Sequence, residues 1–309
     1  MMHYNTYDRF CGSWWGSIIG QTITHQADNL FTQPWLLGRR QIAQLLLEQK
    51  LTITNSFGED ISTQVNGLKY NSSLLALLPL IIFPPDKQDL CQKLGGKHHL
   101  KSANYFDNIY CSQQVLLWSY LLATVLNNRF NSLSQTGLIE EVLSQHQIPE
   151  SILTDKLQLV FQGIQKGNSL TQMVEQVSAT EQSEATAIAL AWYCFATTPQ
   201  DFKLSVGRSA RIDDHLNSNQ GGLITALTAT LSGAYNGMKI ISQGWKTKPD
   251  QEQHLHVENQ LLTKLFKSWL GVYAREENYE SCNPKLDAIA LPRLIQPRQN
   301  LKIISQSSC

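Results

Sequence analysis

The chain has 309 residues, 42% of them hydrophobic and 16% charged, with 25 Lys plus Arg balanced by 25 Asp plus Glu. That length and composition allow a sizeable core without covalent staples. A formal charge of zero excludes a global field that would gather nucleic acid or an anionic membrane, and the longest basic run is the "GRR" of 38–40. The cysteines, Cys11, Cys91, Cys111, Cys194, Cys282 and Cys309, form no CxxC pair, so neither a zinc knuckle nor a dithiol redox motif is indicated. Cys11 and Cys194 fall in apolar helical patterns, where a free thiol serves as a small hydrophobe. The opening "MMHYNTYDRFCG" lacks the basic region and apolar stretch of a signal peptide. A cytoplasmic location with reduced thiols is therefore expected.

Along the chain nearly every periodic segment reads as helix. Over 9–24, Phe10, Trp14 and Ile18 recur at i, i+4, and Gly12, Gly16 and Gly20 do so on another face. A glycine inside a helix costs roughly 1 kcal/mol against alanine, so three at one spacing predict a face that another backbone approaches closely. Further helical patterns cover 34–50, 112–128, 136–146, 150–167, 183–197, 199–208, 221–243 and 252–277. The apolar segment 74–83 carries Pro79 and is too short to span a membrane. "LTITNSF" at 51–57 is the best strand candidate and reads equally well as a loop.

The uncharged run 216–238 is long enough to span a bilayer but rich in Thr, Ser, Asn and Gln. It reads better as a buried helix. Ala229, Gly233 and Gly237 make one thin face of it, and Ala226, Thr230 and Ala234 another. Such a rod belongs at the centre of a bundle. Short connections, no internal repeat and no Pro/Gly/Ser linker predict a single all-α domain over 1–282. The tail 283–309, with Pro284, Pro292 and Pro297, is expected to wrap the surface or fray. Neither a nucleic-acid nor a membrane partner is expected.

Few polar constellations stand out. "DDH" at 213–215 is a metal or acid/base candidate, but adjacent acids ahead of a helix also cap it and suit its dipole. Capping is the preferred reading. His254 and Glu258, at i, i+4, read as an exposed hydrogen-bonded pair, and His98 and His99 as a solvated loop. The Gly221–Gly222 pair reads as a tight turn rather than a phosphate cradle. GxSxG, Walker A and HExxH motifs are absent from the sequence.

Three segments together resemble the ADP-ribosylglycohydrolase family, which includes the dinitrogenase-reductase-activating glycohydrolases. "DRFCGSWWGSIIGQTITHQADN" (8–29) is similar to the family's glycine-punctuated opening helix running into G-D-A-x-G and an acid. "NSSLLALLPLIIF" (71–83) resembles the N-G-x-x-M-R-x-x-P-L-G segment. Residues 183–245, anchored by "LSGAYNG", follow the longest signature, in which G-G-D-T-D-T leads into a central helix ending G-A-Y-x-G. The likeness runs over most of 8–245 and implies an all-α fold, a single-domain orthogonal helix bundle of the ADP-ribosylglycohydrolase type. In active members it implies a binuclear Mg²⁺ or Mn²⁺ site of Asp and Thr oxygens that assists removal of ADP-ribose from proteins.

The residues depart from that pattern where the ligands belong. The D-T-D-T register falls on Gln220, Gly221, Gly222 and Leu223, and T-D-D-T falls on "TQPWLL" (32–37). Gln21 replaces the Asp of G-D-A, Ala76 the Arg of M-R, and Asp28 stands where the family has Glu. Hard divalent cations need several converging anionic oxygens. The expectation is thus a protein that keeps the fold and has lost metal and catalysis, acting in binding, regulation or structure. Its cleft would be lined by Gln21, Asp28, Asn219, Gln220, Gly221 and Gly222, with ADP-ribose, a related nucleotide or another protein as partner. The alternative is an active ADP-ribosyl hydrolase with a displaced Mg²⁺ or Mn²⁺ site on Asp28, Asp213 and Asp214. A third possibility is a filled cleft, closed by Trp35 or Leu223, in an assembly or storage component.

Overall fold

The computed structural model describes residues 6–24, 33–47, 73–82, 109–126, 151–179, 184–216, 222–241 and 252–269. Every regular element among them is helical: α1 Thr6–Thr24, α2 Pro34–Leu47, α3 Ser73–Ala76, α4 Leu78–Ile82, α5 Ile109–Leu126, α6 Ile152–Lys166, α7 Leu170–Ser178, α8 Glu184–Thr197, α9 Phe202–His215, α10 Leu223–Asn236 and α11 Glu252–Trp269. A 3₁₀ turn, Met238–Ile240, follows α10. The all-α expectation holds. The strand candidate at 51–57, the helix pattern at 136–146, the pair His98 and His99, and the tail 283–309 lie outside the described residues.

Helix ends follow local chemistry. Ser151 caps α6 by accepting from Thr154 N, and Thr154 Oγ1 accepts in return from Ser151 N at 2.8 Å. Gly167, at φ 68°, closes that helix with N–H bonds to Gly163 and Ile164. Ser169 and Gln172 make the same reciprocal box for α7. That short helix is missing from the patterns recognised in the sequence, although its box and the buried Met173 and Val177, spaced by four, mark it. Asp201 caps α9 through Leu204 N at 2.9 Å.

The apolar 74–83 segment is two short helices, broken at Leu77. Proline supplies no N–H, so Pro79 cannot donate back to the Leu75 carbonyl. Arg39 Nε donates to that oxygen instead, at 3.1 Å.

α10 is the hub, packed against α1, α9, α8 and α5. Its thin faces explain why. A methyl added at Gly12 would sit 2.9 Å from the Gly237 carbonyl carbon, at Gly16 2.7 Å from that of Ala229, and at Gly20 2.5 Å from Ala226 Cα. The two backbones therefore run against each other, and α1 is buried from Asp8 to Gln21. α8, apolar all round, is buried from Ala185 to Ala196 and bridges α10 to α6 and α9. α11 clasps the other side of α1, where Phe266 packs on Tyr7 and Phe10 at ring separations of 4.9 and 5.3 Å. Among the described residues no helix is long and apolar enough to cross a membrane.

Candidate functional site

The candidate residues that the structure describes, Gln21, Asp213 and Gly222, meet where α1 ends, α9 ends and α10 begins. Gly222, the N-cap of α10, has φ 75°, and a Cβ there would lie 2.9 Å from Thr24 Cβ at the end of α1. Glycine is required on both counts. A glycine N-cap has no side chain for the free N–H groups of the first turn, so the cap comes from elsewhere. Asp213 Oδ2 accepts from Thr225 N at 2.9 Å and from Thr225 Oγ1 at 2.5 Å. Asp213 is 8% exposed.

This corrects the sequence reading of "DDH" in one respect. The three residues are the last turn of α9, which runs to His215 rather than stopping near 208, and are not a loop before α10. Asp213 does cap a helix, but across a tertiary contact twelve residues along. A carboxylate is unfavourable at the C-terminal end of its own helix and favourable at the N-terminal end of the next. The side-chain placements of Asp214 and His215 lie outside the described residues, as do Asp28, Asn219, Gln220 and Gly221 altogether.

Gln21 stands one turn before the end of α1, buried at 6% exposure, beside the Gly20 that meets Thr225 and Ala226. The structure thus brings Gln21, Gly222 and Asp213 to one junction. Where the resemblance places metal-ligand registers, the described side chains are Gln21, Gln33, Trp35, Leu36, Leu37 and Leu223; Gln33 is half-buried and Leu37 exposed, and the other four are buried. Leu223 and Leu36 are wholly inside the core. These apolar side chains cannot hold Mg²⁺ or Mn²⁺, which require oxygen donors. Among the described residues no three His, Cys, Asp or Glu side chains gather as a metal-binding group.

A second polar centre, unforeseen in the sequence, lies between α1, α2 and α11. Arg39 is fully buried, its guanidinium between the rings of Trp14 at 4.8 Å and Trp35 at 4.7 Å. It donates to Ser17 Oγ at 2.7 Å and to the Trp14 carbonyl at 3.4 Å, besides Leu75. Burial pushes this guanidinium down to about 9, with Glu258 opposing the shift and Arg40 adding to it.

Glu258 is the second correction. It is wholly buried, accepting from Trp14 Nε1 at 2.8 Å and pairing with Arg40 Nε at 2.5 Å. It is not half of an exposed helix pair, and His254's side chain lies outside the described residues. The i, i+4 spacing was real, but the acid turns inward because α1 and α2 offer two donors there.

With these geometries in place, comparison with known proteins adds nothing: no family model, curated protein or solved structure matches the chain.

Proposed function

We propose that this chain is a non-catalytic protein of ADP-ribosylglycohydrolase type, acting through binding or as a structural or regulatory component. One observation supports this most: Trp35, Leu36 and Leu223, in the registers where the family carries metal ligands, are core residues. Asp213, an acid of the displaced-site alternative, supports it further, because its carboxylate caps α10. A divalent pair would have to compete with that cap. Gln21 at the junction remains a hydrogen-bonding side chain for a nucleotide such as ADP-ribose, or for a partner protein.

Isothermal titration with Mg²⁺ and Mn²⁺, with and without ADP-ribose, tests the reading. It expects no metal binding in the micromolar range and no release of ADP-ribose from ADP-ribosyl-arginine or ADP-ribosyl-serine substrates. Tight Mn²⁺ binding lost in Asp213→Ala/Asp214→Ala, or a measured hydrolase rate, would establish the active alternative instead. A thermal shift with ADP-ribose alone would point to a surviving cleft, and its absence to a filled one.

A further inference from the structure

One face of α9 is exposed and predominantly basic. Lys203, Gly207 and Arg211 follow one another at four-residue spacing and are all exposed. Leu204, 49% exposed, and the half-buried Arg208 lie beside them. With Asp201 these residues line a shallow cavity of 370 Å³ that shares no residue with the α1–α9–α10 junction. Three cations face one anion, and that anion already accepts from Leu204 N at 2.9 Å. Arg208 is held in place by stacking over Tyr193, with its Cζ 5.4 Å from the ring, and by donating to Thr197 Oγ1 at 2.7 Å. Gly207 has nothing within 4 Å of where a Cβ would be. Unlike the glycines of α1, it packs against no other described residue, and it leaves the helix backbone approachable between the cations.

We infer that this face of α9 docks an acidic segment of a partner protein, laid extended along the helix. At about 1.5 Å rise per residue, Lys203 and Arg211 stand roughly 12 Å apart along the axis. One phosphate or carboxylate cannot reach both ends. About four residues of extended chain at ~3.3 Å each can, with carboxylates on alternate residues facing the helix together to meet Lys203, Arg208 and Arg211. Gly207 admits the segment's backbone at the centre. Nucleic acid fits less well, because a chain of zero net charge lacks the broad positive field that phosphate tracking uses.

The test is fluorescence anisotropy on the full chain, with a fluorescein-labelled peptide of alternating glutamate and leucine as the probe. The expected result is saturable binding that weakens several-fold as salt is raised and is at least about ten-fold weaker in Lys203→Glu/Arg211→Glu. Gly207→Leu, which fills the central gap, should also weaken it, with circular dichroism checking that the variants stay folded. Binding lost both in the folded double variant and with a probe carrying glutamine in place of glutamate marks the face as the site and carboxylates as what it holds. Absence of saturable binding, equal binding by the double variant, or preferential binding of single-stranded oligouridylate would overturn the proposal.

Discussion

Asp213 illustrates how a side chain that reads as chemistry can be consumed by architecture. It supplies the first turn of α10 with the acceptor that Gly222 cannot carry. Asp213→Ala should therefore lower stability by about 2 kcal/mol, the loss of a buried cap, while Asp213→Asn, which keeps an acceptor oxygen, should cost less than half of that. Urea unfolding with an unchanged m-value would check both. Cys194 is the complementary case, a buried thiol with no chemical task. Burial pushes it up to about 12, against opposition from Arg208 and with a smaller push from Asp213. In the unfolded chain the thiol ionises near its ordinary value of 9. Its neutral form thus contributes stability below pH 9 that is lost as pH climbs toward 12. At pH 8, Cys194 should label with a thiol reagent only as fast as the protein unfolds, while urea-denatured chain labels at once. Rapid native labelling, followed by peptide mass spectrometry, would contradict this.

At the scale of elements, the α1–α10 pair is set by small residues and the α1–α11 pair by large ones. Two helix-interior glycines predict opposite outcomes. Gly16→Ala pushes a methyl into the Ala229 backbone and should cost about 3 kcal/mol or more, since neither rod can retreat from the core. Gly207→Ala meets nothing and should stabilise by about 0.5–1 kcal/mol through helix propensity. Thermal melts of the two variants beside the parent protein decide the matter. The periodicity of Gly12, Gly16 and Gly20 was readable in the sequence, and so was the thin-faced rod they meet. The length of α9 was not, because Gly207 and the polar run after it mask its helical period.

For the molecule as a whole, α11 is held on by buried leucines, by an aromatic cluster and by polar contacts, of which the one made by an acid is fully buried. Glu258 joins it to Trp14 of α1 and Arg40 of α2, and Phe266 covers Tyr7 and Phe10. Glu258→Ala strands a charge whose side chain is only 17% exposed. Removing one partner of such a pair should cost about 3 kcal/mol. It should also raise hydrogen exchange in α11 before it does so in α10, whose amides are protected by helices on several sides. Uniform exchange across both helices would mean that α11 is not separately hinged on this contact.

The sequence by itself determined the helical class and the choice of α10 as the buried centre, because these rest on local periodicity and on small residues spaced by one turn. Tertiary structure alone decided the roles of the polar residues. Asp213 meets Thr225 twelve positions on, Arg39 meets Trp14 and Leu75, and Glu258 meets partners more than two hundred residues away. A carboxylate or guanidinium is matched by whatever donors and acceptors the packing brings within 3 Å. No spacing along one helix encodes which helix arrives there.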